Sequence, residues 1–243
     1  MADFVAFSTS VPENYNPYKV LLRGIQRPFD HIANCSLVSY VAPASQKIIS
    51  LVEQMKPVNF EHHFCKTVAG SKEQLHSATA GIAARMILAG DSVEYLKRKI
   101  PLGWSSNRFI NVYLEGFCDM NGLSLFARQD TAIENDADLI ALTVMKFMET
   151  FNCTFQEAFR KTLAVVNGEY VAVALYAYEP EMLLVGNRNR EFYFGVSDKR
   201  DYLVASNTPI LLEHANRPRK IYRDKILHCS NSRAGYEIIS VLK

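Results

Sequence analysis

The sequence predicts an α+β fold of packed layers, and three observations carry that prediction. Two strong helical patterns stand next to each other from Asp136 to Leu163. Short β-prone runs separated by turn residues then fill the chain to its end. Hydrophobic residues make up 49% of the sequence, enough to build a sizeable core. No internal repeat, low-complexity stretch or linker interrupts the 243 residues, so residues 1–243 read as a single domain.

The elements follow from local patterns. Phe4 to Phe7 is a short apolar run that reads as a buried strand. Tyr18 to Arg27 carries Val20, Leu21, Leu22 and Ile25 at helical spacing and stops before Pro28. Ser36 to Val41 reads as a strand, Ile48 to Met55 as a helix, and Gly81 to Leu88 as a strand. Pro101 to Asn107, with the single tryptophan Trp104, reads as a loop, and Phe109 to Leu114 as a strand bounded by Gly116. From Asp136 to Phe151, Ile140, Val144, Phe147, Met148 and Phe151 share one helical face, with Asn135 or Asp136 as the cap. Thr154-Phe155-Gln156-Glu157 fits a capping box, and the helix it opens buries Phe155, Ala158, Phe159 and Leu163 before Asn167-Gly168 stops it. Strands are expected at Tyr170–Tyr176, Met182–Val185, Glu191–Phe194, Tyr202–Ala205, Lys220–Arg223, Ile226–Cys229 and Tyr236–Leu242, with a short helix at Pro209–His214.

Charge and cysteine usage narrow the function classes. Charged residues are 21% and the net charge is only +2, which gives no electrostatic drive towards nucleic acid or membrane. Cys35, Cys65, Cys118, Cys153 and Cys229 are widely spaced and odd in number, as expected of reduced thiols in a cytoplasmic protein. The N-terminus lacks the basic-then-apolar pattern of a secretory signal, and no apolar run approaches the ~20 residues of a membrane helix.

Several features then occur in a telling order. Asp136-Ala137-Asp138 with Leu139-Ile140-Ala141, the capped helix to Leu163, and Gly168-Glu169-Tyr170 with Val171-Ala172-Val173-Ala174 come first. Glu179-Pro180 with Met182-Leu183-Leu184, Phe194-Gly195, Ala205-Ser206 and Leu211-Leu212-Glu213-His214 follow. This ordered set resembles the second half of the class II glutamine amidotransferase (glutaminase) domain, as found in glutamine–fructose-6-phosphate aminotransferase. Met1 to Phe7, Leu21 to Arg27, Gly81-Ile82-Ala83 and Val112 to Gly116 resemble its first half more faintly. The resemblance spans most of the chain except about 42–78, and none of its parts is specific alone. It implies a four-layer αββα N-terminal-nucleophile hydrolase-like sandwich, two antiparallel sheets between helices, without the sugar-isomerising domains.

The resemblance also implies a site, and this sequence departs from it. Such a glutaminase attacks the glutamine amide with an N-terminal cysteine whose α-amine serves as the base. Ala2 stands at that position, with a methyl group and no nucleophile. The oxyanion Asn-Gly pair is replaced by Glu115-Gly116, and loss of one such donor costs roughly 3–4 kcal/mol of transition-state stabilisation. His31-Ile32-Ala33-Asn34 replaces an Arg-Gly-Tyr-Asp segment, and the Thr-His-Gly turn beyond the substrate arginine is gone. Two ligand-binding positions are kept: Asp136 matches the carboxylate that holds the glutamine α-amine, and Arg85, with one gap, the arginine that grips its α-carboxylate. Gly116 completes this expected ligand set. Read without the resemblance, Asp136 is a helix N-cap, Arg85 a salt-bridged surface arginine and Glu115 a solvated carboxylate.

Other patterns carry less. His62, His63, Cys65 and His76 fit no common zinc spacing, so no metal and no cofactor is expected. Arg217, Arg219, Lys220, Arg223 and Lys225 surround Tyr222; their alternation suits the guarded edge of a sheet better than nucleic-acid contact. The expectation is a glutaminase-like pseudoenzyme that binds a protein partner, an accessory or inhibitory factor of the kind a bacteriophage carries. A non-hydrolysing sensor of a glutamine-like amino acid, and an active amidotransferase with an internal nucleophile such as Cys118, are the alternatives.

Overall fold

The computed structural model describes residues 2–9, 35–42, 45–54, 78–86, 102–105, 107–119, 133, 135–230 and 235–241. In chain order these residues form β1 (Ala2–Ser8), β2 (Cys35–Ala42), β3 (Lys47–Gln54), β4 (Ala80–Met86), β5 (Leu102–Trp104) and β6 (Ile110–Asp119). Two helices follow, α1 (Asp136–Phe151) and α2 (Phe155–Val165). Then come β7 (Asn167–Tyr176), β8 (Met182–Arg188), β9 (Phe192–Val196), β10 (Tyr202–Ala205), the short α3 (Thr208–Leu212), β11 (Asn216–Ile221), β12 (Lys225–Ser230) and β13 (Gly235–Ser240).

Two antiparallel sheets stack face to face. The seven-stranded sheet runs β11-β9-β10-β1-β4-β2-β3 and the six-stranded sheet β13-β12-β8-β7-β6-β5. The central strands alternate their side chains between two buried faces. In β1, Phe4 and Ala6 enter the layer between the sheets with Tyr113, Val173 and Leu183. Val5 and Phe7 turn outward onto Ile210 and Leu211 of α3. In β7, Val171, Val173 and Leu175 face the inter-sheet layer, while Tyr170, Ala172 and Ala174 pack under α1 and α2. A period of two with both faces apolar is what a sheet covered on both sides demands.

Both middle helices form as their patterns predict, and for the predicted reasons. Asn135 caps α1, its side chain accepting from the Asp138 N–H while Asp138 reaches back, and Thr154 and Glu157 do the same for α2. Ile140 and Val144 are buried, but Phe151 at the end of its expected face is 55% exposed, lying on Phe147 beneath the Lys161 ammonium. In α2, Phe155, Ala158, Phe159 and Leu163 are buried as expected. This helix closes on the Val166 N–H bonding to the Thr162 carbonyl, so Asn167-Gly168 opens β7 rather than capping the helix.

Three expectations are corrected. The helix expected from Ile48 is not formed over the described residues: Lys47–Gln54 is β3, a hairpin partner of β2 with Tyr40 opposite Ile49 and Leu37 opposite Val52. Its β-branched residues fit a pleated surface, and the ladder with β2 outweighs a weak helical spacing. Leu102 to Trp104 is a strand rather than a loop, because the residues that cap α1 also hold it. The Trp104 N–H donates to Asp138 Oδ1 at 2.9 Å and Asn135 Nδ2 to the Leu102 carbonyl at 3.2 Å. Finally, β6 does not end at Gly116 but runs on to Asp119, paired with Asn167. The expected helix at Tyr18–Arg27 and the His62, His63, Cys65 and His76 group lie outside the described residues.

Polar contacts tie the two sheets together. Buried Asn111 of β6 accepts from Ser39 Oγ of β2 at 2.8 Å and donates to the Gly103 carbonyl at 3.0 Å. Ser8 Oγ donates to the Glu181 carbonyl and Thr79 Oγ1 to the Pro180 carbonyl, each at 2.6 Å. No described helix is long and apolar enough to cross a membrane.

Helix α1 meets the sheet tightly at Gly103, where an added Cβ would stand 2.0 Å from the Ala137 carbonyl carbon and the Asp138 nitrogen. Both obstacles are backbone, so no rotamer change relieves them. Gly103→Ala is expected to push β5 off the start of α1 and to lower unfolding free energy by about 3 kcal/mol, the upper range for overpacking, in a urea melt.

Candidate functional site

The expected site residues fall on two parts of the sandwich. Ala2 opens β1 opposite Met86 of β4, and the next pair along is Asp3 opposite Arg85. Arg85 is also paired with Ser36 of β2. The side chains of Ala2 and Arg85 lie outside the described residues. Glu115 and Gly116 sit in the second half of β6, opposite Val171 and Tyr170. Asp136 is the first residue of α1, and its carboxylate accepts a hydrogen bond from the backbone of Cys118, two residues beyond Gly116. The structure thus brings Glu115, Gly116 and Asp136 to one half of β6, and places Ala2 beside the β4 position of Arg85.

Glu115 is not the solvated carboxylate that a reading of the residues alone expects. It is 5% exposed and ion-paired with Arg190, whose Nη2 lies 2.5 Å from Oε1. A carboxylate this deep is costly unless a cation meets it. Arg190 comes from the turn between β8 and β9, which is itself held by polar contacts. Asn187 donates to the carbonyls of Arg190 and, at 3.0 Å, Tyr222, and accepts from the Lys225 N–H at 2.8 Å. Asn189, in the left-handed region at φ 51°, donates to the Gly168 carbonyl at 3.1 Å, and Arg188 meets Asp224 at 3.3 Å. Sequence reasoning missed Arg190 and Asn187. The one available signal was the run Asn187-Arg188-Asn189-Arg190, polar residues at a turn whose first member is fully buried.

Gly116 has a backbone reason to be glycine. Its φ is +119°, and a Cβ there would stand 2.2 Å from the Glu169 carbonyl oxygen. Asp136 does not cap α1, since Asn135 does. It is exposed in the first turn, and desolvation of its carboxyl group raises its pKa while the hydrogen bond from the Cys118 backbone lowers it, the first effect being larger. Cys118 is 8% exposed, and burial, then the nearby Asp136 charge, push its thiol far above the ordinary range. A thiol kept protonated is a poor nucleophile. Cys229 is likewise raised by burial, and Cys118, Cys153 and Cys229 are free thiols.

The comparisons bear on the fold. No protein-family model matches the sequence, and no curated protein matches it. Solved structures do match. Glutamine phosphoribosylpyrophosphate amidotransferase from B. subtilis, complexed with ADP and GMP, aligns with a TM-score of 0.66 at 12% identity. A structure described as the allosteric regulatory enzyme of purine biosynthesis aligns at 0.67 and 13%. Each alignment covers 99% of this chain and 49% of the other, so this chain spans about half the length of those proteins. A glutamine aminotransferase class-II domain protein from Silicibacter pomeroyi aligns at 0.52 and 8% identity over 98% of this chain and 97% of its own. The architecture is therefore the N-terminal-nucleophile hydrolase-like α+β sandwich of the class II glutamine amidotransferases, the fold the sequence resemblance implied.

Two outcomes follow from the site. Arg190→Ala strands the buried Glu115 charge without its guanidinium. Because Arg190 is 33% exposed, the expected loss is about 2–3 kcal/mol, below the ~3–5 kcal/mol of a fully buried pair. Adding Glu115→Leu to Arg190→Ala recovers more than half of that loss in the same denaturation series. Cys118 stays unmodified by iodoacetamide at pH 7.5 in the native protein and reacts once the protein is unfolded, as read by peptide mass spectrometry.

Proposed function

We propose that this chain is a glutaminase-like domain that no longer cleaves amides and acts in the cytoplasm by binding a protein partner. An accessory or inhibitory factor, such as a bacteriophage carries, fits that role. The observation that carries the reading is the Glu115–Arg190 pair at the place where the resemblance puts an oxyanion donor. A carboxylate tied up with Arg190 offers no hydrogen-bond donor to a substrate oxygen on which negative charge develops, and a missing donor alone slows such chemistry by about 10²–10³-fold.

The nucleophile position points the same way. Ala2 offers a methyl group, and every residue of β1 from Ala2 to Ser8 lacks a thiol. Ser8 and Thr9 would be the next hydroxyls to consider, yet exposing either as a terminus removes β1. That strand pairs with both β10 and β4 in the middle of the seven-stranded sheet. The raised pKa of buried Cys118 argues against an internal nucleophile.

A sensor of a glutamine-like amino acid is the second reading, favoured by the exposed Asp136 carboxylate, which meets the Cys118 backbone on β6. Arg85 would supply the other half of an amino-acid clamp. Calorimetry with glutamine, glutamate and asparagine separates the two: heat that Asp136→Asn abolishes supports the sensor, and silence with all three rules it out.

The purified protein is expected to release no ammonia from glutamine above the uncatalysed background in a coupled assay. Release above that background would overturn the pseudoenzyme reading, and release that survives replacement of each cysteine in turn would also reveal a nucleophile other than a thiol.

A further inference from the structure

Two contacts give the stacking of the sheets. The Phe4 ring of β1 lies on that of Tyr113 of β6, centroids 5.5 Å apart. Ser39 of β2 bonds to Asn111 of β6, and Ser39 shares the level of Ala6 through Ile82 of β4. A step forward along β1 therefore matches a step back along β6. Continued the other way, the same relation brings the backbone of Ala2, with Met86 and Cys35 alongside it, to the level of Glu115. Glu115 is on the same face as Tyr113 and stands opposite Val171, both of the inter-sheet layer, so it closes that layer at this end. Val171 in turn stands opposite Asn187. The chain also crosses between the sheets here: β8 ends at Arg188, β9 begins at Phe192, and Arg190 lies in the crossing.

Arg190 is held in place before any ligand arrives. Asn187 fixes its carbonyl, and Glu115 takes its Nη2. A guanidinium has five N–H donors. Glu115 is the only side-chain partner of Arg190 among the described residues, and 33% of the Arg190 side chain is exposed. The remaining donors are therefore preset and within reach of solvent at the end of the inter-sheet layer. A preset donor fork loses little freedom when it binds. Its planar geometry matches a carboxylate, which accepts two parallel N–H bonds, better than an amide, which offers one oxygen and turns its own N–H groups towards the donors.

We propose that Arg190 is the specificity-determining residue of this site and takes the side-chain carboxylate of an acidic amino acid, glutamate in preference to glutamine. Glu115 is its positioning residue: it aligns the guanidinium through one nitrogen and leaves the rest of the fork for the ligand. The proposal rests on the sensor reading above for the amino-acid part of the ligand, and adds the chemistry of its side chain. It also agrees with the loss of amide cleavage, because glutamate has no side-chain amide to cleave.

The test is calorimetric titration of the intact protein with glutamate, glutamine and inorganic phosphate at one ionic strength. Glutamate is expected to bind about tenfold tighter than glutamine. Arg190→Lys keeps a cation beside Glu115 but removes the fork, so it is expected to weaken glutamate about tenfold and to leave glutamine within about twofold. A double variant, Glu115→Gln with Arg190→Gln, leaves no charge stranded and is expected to abolish the preference even if the lysine variant does not fold. Glutamine binding as tightly as glutamate, or a preference for glutamate that survives in the variants, would overturn the proposal and leave the sensor reading in place. Phosphate competing as well as glutamate would mark a general anion site and overturn it too. No saturable heat with either amino acid would overturn the proposal and the sensor reading together.

Discussion

Burial on both faces of both sheets is the constraint from which the other features follow. A strand covered on one side can spend alternate residues on solvent, but β1 cannot: Phe4 and Ala6 fill one layer, Val5 and Phe7 the next, and all four are fully buried. Such a strand has to be apolar in both directions and paired along both edges, as β1 is by β10 and β4. Polar groups that enter this interior need partners. Asn111 meets that demand by joining β2 to β5 through Ser39 and the Gly103 carbonyl.

The same demand explains the arrangement around Glu115. A carboxylate on β6 at 5% exposure requires a cation, and the cation comes from 75 residues along the chain. Holding Arg190 there draws in Asn187, which fixes the Arg190 carbonyl and the backbone of the β11–β12 turn, and Asn189, which anchors to Gly168 in β7, the strand that pairs with β6. One acidic side chain in the interior is thus matched by a turn whose conformation is fixed from three directions. That organisation makes a stable, charge-neutral patch on β6. It also accounts for the side-chain chemistry nearby: Cys118 lies under α1 in an apolar cluster and behaves as a small hydrophobe.

At the outer margins the constraint lapses. Each sheet has edges that pair with no further strand among the described residues, and the adjacent pair differ: β11 carries proline and four charges or amides, while β13 carries Tyr236, Ile238 and the exposed Glu237. The basic cluster therefore stands on a sheet edge, as its alternation suggested, with Arg219 reaching across to Tyr236 of β13.

The sequence by itself determined the parts whose signals are local. The helices at Asp136–Phe151 and Phe155–Val165 were legible because their capping boxes and apolar faces lie within a few residues of one another. Most strands after Asn167 were legible because turns separate short apolar runs. The order of these elements suggested packed α+β layers, and the resemblance to a known domain supplied the two-sheet sandwich. Only the tertiary structure decided what depends on distant partners. Lys47–Gln54 is a strand because β2 pairs with it, and Leu102–Trp104 because the caps of α1 reach back to it. Glu115 is buried because Arg190, invisible in its own neighbourhood, folds over to neutralise it. Propensity and capping act over one or two turns of chain, whereas the desolvation of a charge is set by whatever the whole fold places beside it.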